Sequence, residues 1–337
     1  MRDPKDRIKG TARKLGRSPM GIVHFAGLGL SPGAVTAGLS YLKHEYARKY
    51  KDIYGEIIEE VVLFTSTEVA SGEVKMKPGN AEHNDYMSVK VRLTWAREKQ
   101  NIVEVVKEFI KQEIGDVEIY CCTVDVNDFS ACFEAVAKAT LFFHPPGDVG
   151  KHIWANITGG TNPLNAALFQ VAYLSGFITR LYYTFISNIA QYGKYLQPFS
   201  SDPNLFDFRE IYVLKTVFDD RYQHILEELK AIYDEDSSRW LTSRDLLGRL
   251  KSKGFPGFQE MDQEMDHRTF LLDFLHVMQG RGIQRKGKED AIRLDPEVGP
   301  AILAILRSDY VQALLGRTIP SKEQIEGWTK DLNLKKL

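Results

Sequence analysis

The sequence predicts an α/β protein: a Rossmann-like parallel sheet over residues 21–215, followed by a smaller, mostly helical winged-helix domain over residues 220–300. Three observations lead there. From residue 21, short apolar runs alternate with helix-length segments, the pattern of a parallel sheet covered on both faces. Two glycine-rich turns each follow an apolar run and open a helix. Beyond residue 220 come three helical segments and a hairpin, the order of a winged helix-turn-helix.

The elements follow in order. Residues 1–20 carry seven basic and two acidic residues, a net +5, and read as a solvated basic arm able to touch a polyanion. GIVHFAG from Gly21 is the first strand, and PGAVTAGLSYLKHEYARKY its helix. EEVVLFTS is a second buried strand. The polar stretch from Ser66 to Met87 is too long for an ordinary turn and reads as a loop able to close over a ligand. Residues 89–115 are mostly helical, with helical spacing of apolar residues from Ile102 to Ile114. VEIYCCTV, HIWANI and ITRLYYTFI are the third to fifth strands, separated by the helices SACFEAVAKATLFF and PLNAALFQVAYLSG; EIYVLK near residue 210 is a sixth. A loop from Gln197 to Phe208 closes the domain. HILEELKAIYD, LTSRDLLGRLKSKG and DHRTFLLDFLHVMQGRG are helices, and IQRKGKEDAIRL is a hairpin. Residues 301–337 read as a C-terminal helix and polar tail.

Composition narrows the function. The chain has 337 residues, 43% hydrophobic and 26% charged, with net charge −1. This excludes a basic coat over the whole molecule, though not a local patch. No apolar run reaches the roughly 18 residues of a membrane span, and the charged N-terminus lacks a signal's apolar core. Cys121 and Cys122 are adjacent and Cys132 stands alone, so neither a metal cluster nor a disulfide framework is expected. A cytoplasmic location and no metal follow.

The chemistry concentrates in the two turns. The first is Gly27-Leu28-Gly29-Leu30-Ser31-Pro32-Gly33, the second Thr158-Gly159-Gly160-Thr161-Asn162-Pro163. Glycine lets another molecule approach the backbone, and the free N–H groups of a helix start favour phosphate. In an open parallel sheet both turns lie at the carboxyl edge, where ligands bind. The first turn also fits a loose dinucleotide fingerprint through Gly27, Gly29 and Gly33. That fingerprint wants an acidic residue ending the second strand, which here ends in Phe64-Thr65-Ser66, with Glu68 further on. An NAD(P)-dependent oxidoreductase is therefore a weaker alternative.

The pairing of LGLSPGAVT with ITGGTNPLNAAL resembles the CARF domain, the CRISPR-associated Rossmann-like sensor of type III antiviral systems. The resemblance covers residues 21 to about 215. It implies a two-fold homodimer that binds a cyclic oligoadenylate, four adenylates being the expected ring, with no cofactor and no membrane. It assigns ligand contacts to Leu30, Ser31 and Pro32, to Thr65 and Ser66, to Asp125 and Asn127, and to Thr158, Gly159, Gly160, Thr161 and Asn162. Some relatives are metal-independent ring nucleases, in which a ribose 2′-hydroxyl attacks the adjacent phosphate. Ser31 and Asn162 would then be the catalytic positions. Asn162 stands where the family often has Lys or Arg, which weakens that alternative; Lys151 and Lys194 are substitute cations. No R-x4-6-H or restriction-type nuclease motif follows the sensor.

The winged helix makes DNA a second expected partner and a ligand-controlled regulator the expected function. Its charge is unfavourable: residues 225–300 hold 12 basic and 15 acidic residues. Glu264-Met265-Asp266 opens the recognition helix. Arg281, Arg285, Lys286 and Lys288, with Arg293, gather in the wing, where contacts give affinity rather than readout.

Overall fold

The computed structural model describes residues 21–30, 32–43, 58–73, 101–146, 151–186, 206–211, 213, 219–255, 258, 267, 270–275, 278–279, 282–286 and 290–337. The first strand, β1 (Ile22–Gly27), leads into α1 (Gly33–Tyr41), and β2 (Ile58–Thr65) into α2 (Thr67–Ser71). Next come α3 (Ile102–Phe109), continued by a π-helical turn over Ile110–Ile114, then β3 (Glu118–Thr123), α4 (Phe129–Phe143), β4 (His152–Asn156), α5 (Asn162–Ser175), β5 (Ile178–Ile186) and β6 (Phe206–Ile211). The following elements are α6 (Asp220–Glu235), β7 (Leu241–Thr242), α7 (Ser243–Ser252), a π-helical turn over Phe270–Leu275, β8 (Ile283–Lys286), β9 (Ala291–Leu294), α8 (Val298–Arg307) and α9 (Asp309–Leu314). The chain closes with α10 (Lys322–Asp331) and β10 (Leu334–Lys336).

These elements form two units. One is Met1–Thr216 together with Ile319–Leu337; the other is Val217–Thr318. The first is built on a seven-stranded sheet in the order β10-β3-β2-β1-β4-β5-β6. Its five inner strands are parallel, and both edge strands are antiparallel. The sheet is thus mostly parallel, in a mixed α/β arrangement consistent with a Rossmann-like layout.

Why the inner strands read as continuous apolar runs is visible in their packing. Ala26, Val61 and Leu63 face α1 and α3, meeting Val35, Leu39, Ile102, Val106 and Ile110. Alternate residues face the other way. Phe25 lies edge-on to Phe64 at 5.3 Å and to Phe143 at 6.0 Å. With both faces covered, the stretches Phe25–Ala26 and Val61–Phe64 read as continuous apolar runs rather than an alternating pattern.

Several boundaries differ from expectation. The sixth strand lies at Phe206–Ile211 rather than from Glu210 onward, overlapping the expected closing loop. Phe208 fixes it there by stacking on Tyr41 at 4.0 Å and Tyr182 at 4.6 Å, and Arg180 donates to Glu210 at 2.7 Å. The segment expected as one helix over residues 301–315 is broken: Ser308, at φ −65° and ψ 139°, ends α8 and begins α9. The polar tail is not an appendage to it. Residues 319–337 return to the first unit, where β10 pairs with the outer edge of β3. There Leu337 N–H donates to the Ile119 carbonyl at 2.8 Å, and Lys336 donates to Glu118 at 2.6 Å.

In the second unit, β7, β9 and β8 form a three-stranded sheet in that order. It packs with α6, α7 and α8 around Leu226, Leu229, Leu246, Leu250, Ile283, Ile292 and Leu303. Glu228, 1% exposed, receives Arg249 at 2.5 Å and Lys253 at 2.6 Å. Burial opposes its charge, but the two cations prevail and hold its carboxyl below the usual range. The entry Glu264-Met265-Asp266 lies outside the described residues.

Candidate functional site

In the parallel sheet, β1 is the strand from which the chain first runs outward through β2 to β3 and then crosses to β4. The carboxyl ends of β1 and β4 therefore flank the point where strand order reverses, the ligand crevice of open α/β sheets. Both glycine turns open there. They touch each other: a methyl group built on Gly27 would lie 2.8 Å from Gly160 Cα, and one on Gly159 would lie 2.4 Å from the Gly27 carbonyl oxygen. Gly160 also has φ +83°, a conformation costly for any other residue. These glycines serve the packing of turn on turn. Gly29 is different, since a methyl group there meets nothing within 4 Å.

Side chains pin the turns in place. Leu28 N–H donates to the Phe64 carbonyl at 2.8 Å, and the buried Thr65 hydroxyl donates to the Leu28 carbonyl at 2.7 Å. Asn156, 1% exposed, joins both turns: its Nδ2 donates to the Ala34 carbonyl in α1 at 2.9 Å, and its Oδ1 accepts from Thr158 N–H at 2.8 Å. The Thr158 hydroxyl accepts from Thr184 N–H at 2.8 Å and lies 3.2 Å from the Thr184 hydroxyl. The Thr161 hydroxyl donates to the Val126 carbonyl, drawing the β3–α4 turn against the start of α5. Ser66 caps α2 by accepting from Val69 N–H, so the stretch expected as a loop from Ser66 begins with a helix; residues 74–87 lie outside the described residues.

The expected ligand residues thus sort into two groups. Thr65, Ser66, Thr158 and Thr161 have their hydroxyls engaged within the protein, Gly159 is buried, and Pro32 is a buried helix start. Leu30 (59% exposed), Asp125, Asn127, Gly160 and Asn162 face solvent. Ser31 lies outside the described residues. Asn156 and Thr184 escaped the sequence reading. Asn156 left a signal there, as the polar residue closing the buried strand HIWAN.

Helix capping differs among the helix starts of the first unit. Ser66, Asn101 and Asp128 each cap their helices, α2, α3 and α4, by accepting a backbone N–H. At the crevice, Thr161 opens α5 without a side-chain cap, and among the described residues none caps α1, whose first described residue is the helical Pro32. The dipole and N–H groups of a helix start favour an anion. Below α1, His24 is fully buried and shares a hydrogen bond with the Tyr182 hydroxyl. Burial lowers its pKa to about 3, so the ring is neutral and adds no charge.

Other candidates fall away from the crevice. Lys151 stands at the opposite, amino-terminal edge, paired with Glu59 at 2.8 Å and with Glu60; Lys194 lies outside the described residues. Burial pushes the Cys121 and Cys132 thiols up to about 11 and Cys122 to about 12, which keeps them protonated and unreactive. Among the described residues no group of three or more His, Cys, Asp or Glu is placed to hold a metal, and no helix is long and apolar enough to cross a membrane.

In the second unit, the Ser243 hydroxyl meets both His267 Nε2 and Asp290. Asp290 approaches that same nitrogen at 3.4 Å. A nucleophile relay needs the acid on the opposite nitrogen, so this cluster ties the hairpin to α7 instead. Arg285 is 3.7 Å from Asp290, and Lys286 is exposed. Arg281 and Lys288 lie outside the described residues.

No family model matches the chain. An uncharacterized protein of Archaeoglobus fulgidus is 26% identical over 295 residues, covering 78% of this chain and 83% of the relative. A solved structure, Enterococcus italicus Csm6 bound to cyclic hexa-2'-fluoro-hexa-dAMP, is 16% identical with a TM-score of 0.34. That match covers 77% of this chain, and this chain spans 55% of the length of that one.

Proposed function

We propose that the chain is a CARF-type sensor that binds a cyclic oligoadenylate at the crevice between β1 and β4. The observation that carries this is the pair of glycine-rich helix starts that meet at the crevice, Gly27 against Gly159 and Gly160. On one sheet, α2, α3 and α4 satisfy a first amide with a side chain, while among the described residues the neighbouring starts of α1 and α5 receive no such bond. A polyphosphodiester suits such a rim. The resemblance of LGLSPGAVT and ITGGTNPLNAAL to the CARF motifs supports the same ligand. A ring with internal symmetry fits an isologous homodimer in which each copy presents the same turns.

Binding without cleavage is the favoured chemistry. Residues 27–34, 65–68, 124–129 and 157–163 contain no Lys or Arg, and Lys151 is held at the far edge. Among the described residues, charge developing on a cleaved phosphate would then meet no cation at this rim. The second unit is the output. Its order of helix, short strand, helix and hairpin, with strands arranged β7-β9-β8, supports a winged-helix reading. The ligand would set the relation of two such modules in the dimer and so their grip on DNA.

The test is equilibrium binding of cyclic tetra-adenylate and hexa-adenylate in EDTA, with intact and linear ring measured together. Tight binding of an intact ring is expected. Turnover that disappears in Ser31→Ala would make the protein a ring nuclease. A chain that ignores both rings and binds NAD(P) instead would overturn the proposal in favour of an oxidoreductase. The DNA output is tested by mobility shift of fragments from the chain's own operon, with and without ring. No salt-sensitive shift in either state would remove that part.

A further inference from the structure

We propose that the β3–α4 turn is a base-recognition subsite, in which Phe129 stacks a purine and Asn127 hydrogen-bonds its edge. This rests on the ring-binding reading above and adds the part of the ligand that the helix starts do not address.

Position comes first. The Thr161 hydroxyl donates to the Val126 carbonyl, so the turn carrying Asn127 and Phe129 abuts the start of α5. A phosphate held at α5 would keep its nucleoside within reach of this turn.

Electrostatics then divides the labour. Asp128 caps α4 through Ser130 N–H at 2.8 Å, and Asp125 accepts from Asn127 N–H at 3.0 Å. The amides here are satisfied, and two exposed carboxylates stand beside them. This turn repels phosphate, whereas the neighbouring starts of α1 and α5 attract it. A molecule made of phosphates and neutral heterocycles is sorted by that contrast: charge to the helix starts, base to the turn.

The turn also has the groups a base needs. Phe129 is 39% exposed although its neighbours Asn127, Asp128 and Ser130 are polar and exposed. Its ring lies 6.0 Å from that of Phe133, tilted by 32°, and Phe133 is 2% exposed. A buried ring thus supports an exposed one, which limits its motion and leaves surface for stacking. The exposed Asn127 carboxamide offers a donor and an acceptor side by side. That pair complements the N6 amino group and N7 of adenine; guanine presents two acceptors at that edge, and uracil has no purine N7.

The experiment titrates the full chain with labelled cyclic tetra-adenylate and hexa-adenylate, and with cyclic tetra-uridylate for comparison. Phe129→Ala is expected to weaken adenylate binding at least about five-fold, the lower end of base-on-aromatic stacking. Phe129→Trp should bind like wild type. Phe129→Leu keeps an apolar contact to Phe133 without a π face, so a similar loss there separates stacking from misfolding. Asn127→Ala should narrow the preference for adenylate over uridylate. A wild-type chain that binds an adenylate ring, with Phe129→Ala and Phe129→Leu both losing less than this, overturns the subsite alone. A wild-type chain that binds neither adenylate ring overturns the ring-binding reading and the subsite with it.

Discussion

Replacing Gly159 by alanine puts a methyl group 2.4 Å from the Gly27 carbonyl oxygen and 3.1 Å from Ala34 Cβ. The nearest atom is backbone, held by β1 inside a sheet buried on both faces, so it cannot rotate away as a side chain could. The two turns must separate or the strand must shift. Overpacking of this kind costs about 1–3 kcal/mol. In a unit of this size each kcal/mol lowers the melting temperature by about 2–4 °C, giving a fall of about 2–12 °C. Gly29→Ala is the matched control, because its methyl meets nothing within 4 Å; a change within about 0.5 kcal/mol is expected. The two should diverge in the opposite sense on ligand binding. At Gly29 the methyl group projects into open space beside the helix start, where a phosphate would approach, so affinity for the adenylate ring should fall while stability holds. Scanning calorimetry and ring titration on both variants decide the matter. A Gly159→Ala chain melting within about 1 °C of wild type would refute the claim that turn-on-turn contact fixes this edge.

Asn156→Ala should cost about 1–3 kcal/mol in urea unfolding, because the Ala34 carbonyl and Thr158 N–H lose their shared partner in a buried place. Glu228→Gln should weaken the second unit at neutral pH and have little effect in acid. The folded carboxyl is held below its ordinary value by Lys253 and Arg249 against the cost of burial, so its stabilisation is present above the unfolded pKa near 4.5 and fades as pH falls through the lower folded value; unfolding midpoints at pH 7 and pH 3 check this. Ser243→Ala should speed amide hydrogen exchange in β8 and β9, whose turn residue Asp290 it anchors, by lowering the local opening free energy about 1 kcal/mol. Removing residues 319–337 should expose Cys122, whose thiol now donates to the Leu332 carbonyl at 3.3 Å, to a thiol reagent it otherwise resists.

Much of the sheet could be read from the chain because its cause is local. VVLF at residues 61–64 is buried on both faces, and such a run has few other uses at that length. The two turns were also legible, since glycine, a capping residue and proline follow one another directly. Their internal logic was not. Nothing near Gly159 in sequence says that its missing side chain makes room for Gly27, 132 positions away. Nor does Thr161 announce that its hydroxyl turns to Val126 instead of capping α5. The closing edge strand was missed for a related reason. Three residues, Leu334–Lys336, carry too little pattern to mark a strand, and only the free rim of β3 makes them one.

That rim sets an order of events during synthesis. The strand that covers β3 is made about 200 residues after it, with the whole second unit in between. At ribosomal speed this is a delay of about 10–40 s. Throughout it the nascent sheet presents a row of unpaired backbone groups at β3, open to any passing strand. Early folding of Val217–Thr318 would shorten the reach that the closing segment must span. A second unit slow to fold would then be felt first as aggregation of the sheet.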